Sequence, residues 1–251
     1  METLNRLWLE LHSSTITEGI EDKGILKACF MGGSPGAGKT FTINKLKSGQ
    51  IEPKMVNTDV FVEFLAALHK KPINAVQNDW PQYGKKIKQL TSNQLALFLN
   101  SMLPLFIDGT SANPNNLLRR QGILKGIGYD TGFVWVETSL KTALERNKQR
   151  ERQVDEDFLI DTYNEIQKLK PYYKSEFKFF IEVKNDVGEL TDDVVLSAFR
   201  KTSGFFNSPI ENPVGKSLID DMRDDGHKYL IDTDLYDMAY IKKLITSWYA
   251  K

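Results

Sequence analysis

The segment Gly33-Ser34-Pro35-Gly36-Ala37-Gly38-Lys39-Thr40 fits the pattern G-x-x-x-x-G-K-[ST] at every fixed position. Its glycines let the backbone curl until successive N–H groups point inward at anionic oxygens. Lys39 is spaced to reach the β- and γ-phosphates of a nucleotide, and the Thr40 hydroxyl to hold Mg²⁺. The competing reading is a glycine-rich turn with a chance lysine. The flanks argue against it. Upstream, Ile25 to Met31 is a short, mostly apolar run of the kind that forms a buried parallel strand. Downstream, Phe41, Ile43 and Leu46 read as the first turns of a helix, so a helix N-terminus is aimed at the loop.

Phosphoryl transfer needs more than a cradle. It needs a metal site, positive charge on the moving group and a positioned base. Asp108 ends an apolar run and is a candidate carboxylate for a metal or substrate; the alternative is a turn-forming Asp-Gly. Thr110 follows it, and Arg120 lies further along the next helix. Arg146 and Arg150 are four apart and share a helix face, from which their guanidinium groups could close over a phosphate; the alternative is a solvated charged helix. Asp59 follows a second strand, expected to lie next to the loop's strand. It is a candidate base, with a helix N-cap as the other reading.

The elements that must position these residues alternate. Strands are expected at Met55 to Asn57, Leu103 to Ile107, Phe133 to Val136 and Phe179 to Val183, after the first at Ile25 to Met31. Helices are expected at Val60 to His69, in one or two pieces from Pro81, after Asn113-Pro114, after Leu140 and after Asp155. The inner face of the last should carry Phe158, Leu159, Thr162, Tyr163, Ile166 and Leu169. Lys70 to Trp80 reads as polar and irregular. Strict alternation implies an α/β fold: a parallel sheet of the P-loop NTPase type with helices on both faces. Its ligands sit at the C-terminal strand ends, where the loop, Asp59, Asp108 and Thr110 all fall. Residues 1–203 are expected to form the core, with an N-terminal amphipathic helix and an insertion near 70–101. Residues 204–251 form a C-terminal appendage packed on it.

Composition narrows the partners. A formal net charge of zero argues against a broadly basic nucleic-acid-coating surface, while leaving room for a local basic groove. The single cysteine, Cys29, sits in the first strand and reads as core. The three histidines are scattered, so no Cys/His metal site is suggested. No apolar run approaches the roughly 20 residues of a membrane span, and the N-terminus does not read as a signal peptide. A soluble, cytoplasmic protein is expected, in a host cytoplasm if phage-encoded.

Together these motifs resemble the kinase domain of phage polynucleotide kinase and zeta-toxin-like kinases. The resemblance rests on the loop, on Asn57-Thr58-Asp59, and on Ile107-Asp108-Gly109-Thr110 with Asn113-Pro114 and Arg119-Arg120 after it. It continues in Arg146-Asn147-Lys148-Gln149-Arg150 with Val154, and spans roughly residues 25–190. It implies transfer of the γ-phosphate of ATP, with Mg²⁺, to a hydroxyl, with Asp59 as base and Arg146 and Arg150 as lid arginines. The implied acceptors are a polynucleotide 5′-hydroxyl or a hydroxymethylated base in phage DNA. A nucleotide sugar, as for zeta-toxin-like kinases, is the alternative. A P-loop ATPase or switch acting on a protein partner is a third reading. Leu230-Ile231-Asp232-Thr233-Asp234 resembles the opening of the phosphatase motif of bifunctional relatives, but too few residues follow to build that domain.

Overall fold

Alternation of side chains along the strands builds two apolar layers, one on each face of a single parallel sheet. The computed structural model describes residues 19–46, 51–109, 111–149, 153–186, 191–225 and 238–249. The strands are β1 (Lys27–Gly32), β2 (Lys54–Val56), β3 (Leu105–Ile107), β4 (Asp130–Glu137) and β5 (Phe179–Lys184). Their order across the sheet is β2-β3-β1-β4-β5, and every pairing is parallel. The helices are α1 (Lys39–Leu46), α2 (Asp59–Leu68), α3 (Ile73–Asn78), α4 (Trp80–Asn100) and α5 (Pro114–Gly126), then α6 (Leu140–Lys148) and α7 (Glu156–Glu176). α8 (Asp192–Asn207), α9 (Pro213–Asp224) and α10 (Met238–Trp248) complete the order.

On β1, Ala28 and Phe30 face one layer while Cys29 and Met31 face the other. β3 and β4 divide in the same way, with Leu105, Ile107, Phe133 and Trp135 on the first face and Phe106, Val134 and Val136 on the second. The first layer is closed by α4, α5, α7, α9 and α10, through residues such as Leu95, Leu124, Ile166, Ile219 and Trp248. The second is closed by α1 and α8, through Ile43, Leu46, Ala198 and Phe206. Cys29 is fully buried, and burial pushes its thiol pKa far up, so it is a core residue. A third cluster joins Phe61, Val62 and Leu65 of α2 to Val76 of α3 and Tyr83, Ile87 and Leu90 of α4.

Several expectations shift. β3 lies between β1 and β2, so Asp59 follows an edge strand and not the neighbour of the loop's strand. Chain order alone suggests the nearer strand; the crossover carried by α2, α3 and α4 places β2 one position further out. Lys70 to Trp80 is not wholly irregular, because it contains α3. Phe158 is 59% exposed, since Leu159, Ile166 and Tyr173 form the buried stripe of α7. α8 runs through Gly204 to Asn207, and the helix break falls at Ser208-Pro209. Among the described residues no helix is long and apolar enough to cross a membrane. The expected N-terminal helix and Leu230 to Asp234 lie outside the described residues.

β1 begins with a buried lysine. Lys27 is 1% exposed. Its Nζ donates to Asp130 Oδ2 at 2.7 Å, to Ser208 Oγ at 3.0 Å and to the Pro209 carbonyl at 2.9 Å. Asp130 also accepts from the N–H groups of Glu211 and Asn212, each at 2.8 Å. These bonds tie the chain after α8 to the sheet, and Asn212 then caps α9. Lys27→Ala would leave Asp130 without its cation. Breaking a buried pair this way costs about 3–5 kcal/mol, so urea unfolding of the variant should show a clearly lower midpoint at unchanged slope.

Candidate active site

The loop Gly33 to Lys39 connects β1 to α1 at the C-terminal edge of the sheet. Three of its glycines are required by geometry, Gly33 among them, where a Cβ would lie 2.5 Å from the Val136 carbonyl oxygen. Gly36 and Gly38 adopt φ of 81° and 79°, the left-handed region. A Cβ at Gly36 would lie 2.6 Å from the Ala143 carbonyl oxygen, and one at Gly38 would lie 2.3 Å from Asn185 Nδ2. The loop is therefore pressed against α6 and the end of β5. Asn185 Nδ2 donates to the Ala37 carbonyl at 2.6 Å, and Arg146 Nη1 reaches the same oxygen at 3.4 Å. Lys39 Nζ donates to the carbonyls of Gly33 and Ser34, each at 3.0 Å. Ser34 Oγ is buried with no hydrogen-bond partner among the described residues. An orphaned hydroxyl in a loop backed by a helix N-terminus fits an anionic oxygen as its missing partner. Thr40 stands exposed in the first turn of α1.

The acidic candidates are joined by one amide. Asn57 Nδ2 donates to Asp108 Oδ2 at 3.0 Å, and Asn57 Oδ1 accepts from the Asp59 N–H at 2.7 Å. Asn57 thus sets the end of β2 against the end of β3. Asp59 is exposed and is the first residue of α2, with Thr58 in the cap position. Asp59 is therefore not the N-cap. Beside these residues lies a cleft of about 290 Å³ at the ends of β1, β2 and β3, lined by Met31, Thr58, Asp108, Asn116, Arg120 and Tyr249 among others. Its floor is held by Ser111, whose φ of 60° is unusual for a residue with a Cβ. Ser111 Oγ donates to the Met31 carbonyl at 3.2 Å, and Tyr173 Oη donates to the Ser111 carbonyl. Burial pushes the Tyr173 hydroxyl pKa up to about 12, so it stays a donor. Thr110 lies outside the described residues.

α6 carries the first arginine of the expected lid and is fixed at both ends. At its start Ser139 Oγ accepts from the Thr142 N–H at 3.2 Å. Asp186 receives the Ser139 N–H at 3.0 Å and the hydroxyls of Ser139 and Thr142. At its end Asn147 clamps a loop: its Nδ2 donates to the Val154 carbonyl at 2.6 Å and its Oδ1 accepts from the Val154 N–H at 2.9 Å. That explains why asparagine and valine accompany the arginines. Arg146 reaches the phosphate loop, whereas Arg150 lies outside the described residues. Asn57 enters the sequence reading only as part of Asn57-Thr58-Asp59, without its bridging role, and Ser111, Asn185 and the aromatic residues near the C-terminus do not enter it as site residues. The only hint was that Asn57 and Asn185 end apolar runs.

For a metal, no group of three or more His, Cys, Asp or Glu is gathered among the described residues. Thr40 and Asp108 carry oxygen donors of the kind Mg²⁺ takes, which is commonly held by one or two protein oxygens together with substrate phosphates.

Residues 29–168 match the family described as "AAA domain". That is more than half of the chain, and the chain belongs to this family. No curated protein sequence matches it. Among solved structures, a candidate kinase from Chloroflexus aurantiacus is similar in fold, with a TM-score of 0.50 at 14% identity, covering 70% of this chain and 96% of that one. The PezAT toxin–antitoxin structure from Streptococcus pneumoniae gives a TM-score of 0.47 at 18% identity, covering 92% of this chain and 96% of that one. Shikimate kinase from Bacteroides thetaiotaomicron gives 0.42 at 15% identity, covering 70% and 95%.

Next to the loop, Glu137 anchors α7 to the sheet. It accepts from Trp135 Nε1 at 2.8 Å, Gln167 Nε2 at 2.6 Å and Lys170 Nζ at 2.7 Å. Desolvation pushes its pKa up, but the bonds from Lys170, Trp135 and Gln167 outweigh it, and the net shift is downward. A depressed carboxyl stabilises the fold above its unfolded pKa of about 4.3 and loses that contribution as pH falls through the folded value. Glu137→Gln should therefore be less stable than the parent near neutrality, with the gap closing in acid; thermal unfolding against pH reads this directly. Asn185→Ala removes the bond that holds Ala37. A net loss of about 1–2 kcal/mol at the loop should weaken nucleotide affinity on the order of tenfold, measured by calorimetric titration.

Proposed function

We propose that this chain is an ATP-dependent kinase that transfers the γ-phosphate to a hydroxyl group. The observation that carries the proposal is the cleft at the end of β1, the strand that leads into the phosphate loop; it is lined by Met31, Asp108 and Thr58, the residue before Asp59. A P-loop ATPase or switch needs a cradle for the nucleotide, whereas a kinase needs a second, shaped space for an acceptor.

In this reading the N–H groups of Gly33 to Thr40 and the Lys39 ammonium hold the phosphates, with the Ser34 hydroxyl as a further donor. When bound, ATP supplies the phosphoryl group, and Mg²⁺, held by Thr40 with help from Asp108, neutralises charge on the phosphate oxygens. Asp59 takes the proton of the acceptor hydroxyl as its oxygen bonds to the γ-phosphorus and the bond to the β-phosphate oxygen breaks, releasing ADP. Asn57 orients Asp59 and Asp108 together. Arg146, with Arg150, places guanidinium charge against the phosphoryl oxygens. Thr110 and Arg120 serve the acceptor side.

The cleft volume of about 290 Å³ bears on the acceptor. It sits at the lower edge of the roughly 300–1,000 Å³ range of ligand pockets. It suits a small alcohol, a sugar unit or one terminal nucleotide better than a stretch of polynucleotide. A second groove, meeting the first at Ala112, carries Asp161 and Glu165 with Lys168 as its cation, which disfavours a polyanionic strand leaving that way. This observation favours the small-molecule, nucleotide-sugar type of acceptor over a polynucleotide 5′-hydroxyl or a hydroxymethylated base in DNA.

Asp59→Asn should retain ATP binding and lower transfer by about 10²–10⁴-fold, the usual contribution of a general base. Single-turnover assays with labelled ATP check it. If Asp59→Asn leaves transfer intact while Asp108→Asn lowers it to that extent, the base is Asp108. Lys39→Ala should abolish turnover in the same assay.

A further inference from the structure

The wall of the cleft opposite the sheet is built by the last described residues of the chain. α10 packs on α4 and α5, with Ile245 and Trp248 buried in the main core. The Arg120 guanidinium, on α5, lies 5.2 Å from the Trp248 ring centroid and 5.8 Å from that of Tyr249. Its Nε donates to the Trp248 carbonyl at 3.3 Å. Two aromatic rings and one carbonyl thus fix the plane of the guanidinium.

They do not neutralise it. Among the described residues no carboxylate forms an ion pair with Arg120. Burial pulls its pKa down; Tyr249 opposes this, the charge of Arg119 adds to it, and the net shift is downward. Arg119 itself donates to Asn116 Oδ1 at 2.9 Å, beside the same cleft. A partly desolvated cation with no anionic partner is costly to keep. Arg120 bonds through Nε to the protein, which leaves the Nη fork as the part suited to planar, bidentate capture of an acid group. The same cleft carries Asp108, held by Asn57. One space therefore holds a carboxylate suited to a hydroxyl and a guanidinium suited to an anion.

We infer that Arg120, backed by Trp248 and Tyr249, recognises an anionic group, carboxylate or phosphate, on a small hydroxylated acceptor. The role of this anion in turnover rests on the kinase reading; its binding does not. The C-terminal helix is then part of acceptor selection, because it sets the orientation of Arg120.

The test uses the full chain saturated with Mg²⁺ and a non-hydrolysable ATP analogue, so that the phosphate loop is filled. Small hydroxy acids such as glycerate, sugar phosphates such as glycerol 3-phosphate, and the neutral alcohol glycerol are titrated in parallel. Thermal midpoint and tryptophan emission are the readouts. One acid class should raise the midpoint and change the emission, and glycerol should do neither; the responding class tells carboxylate from phosphate. Arg120→Gln should weaken that response by about tenfold or more, as expected for loss of a charge-assisted bond. Arg120→Lys should restore it only in part. Trp248→Phe, which keeps a buried ring, should weaken binding without loss of the cooperative melt. Equal responses to glycerol and the acids, no response to either acid class, or an unchanged response in Arg120→Gln would overturn the inference. If the acids bind through Arg120 but label from ATP passes only to water, the kinase reading fails and the anion site stands.

Discussion

The phosphate loop keeps its shape because two neighbouring backbones and one side-chain amide leave room for nothing larger than hydrogen. A Cβ at Gly33 would lie 2.5 Å from the Val136 carbonyl oxygen, and those at Gly36 and Gly38 would meet Ala143 and Asn185. The loop is therefore a cast of β4, α6 and the end of β5. Anything that moves those elements moves the cradle. Glu137 holds α7 to β4, Asp186 holds the start of α6, and Asn185 bonds directly to the loop. The donor side of the site is a property of the sheet's edge, not of eight residues in isolation.

The cleft at the ends of β1, β2 and β3 depends on a different set of ties. Asn57 couples β2 to β3, Ser111 couples the loop after β3 to β1, and Tyr173 holds Ser111 from α7. The C-terminal residues complete the wall. The two halves of the site therefore have separate supports. The loop half is backbone geometry. The cleft half is side chains such as Arg120, Trp248 and Tyr249.

The same division explains what could be read in the chain before its structure. Strand runs and the glycine loop are local patterns, so the parallel sheet and the position of Lys39 and Thr40 were legible. Caps at Asn113 and Asp155 were legible for the same reason, and both accept the expected N–H bonds. Strand order was not, because β2 and β3 are each three residues long and nothing in their composition says which sits beside β1. Phe158 was assigned inward from its spacing, yet the buried stripe of α7 runs through Leu159, Ile166 and Tyr173, one residue out of phase. The bridging role of Asn57 depends on a contact 51 residues away in sequence, with Asp108, that no spacing rule encodes. The wall from α10 lies more than a hundred residues from Arg120 in sequence, beyond the reach of any local pattern.

The central claim is that a nucleotide cradle and an acceptor cleft form one site. It is tested most directly by following the γ-phosphate of isotopically labelled ATP in the presence of a mixture of small hydroxylated metabolites and nucleotides. The products are separated by mass spectrometry. The account predicts label in an organic phosphate monoester, with ADP formed in equal amount. Label found only in inorganic phosphate, at a rate the mixture does not change, would contradict it.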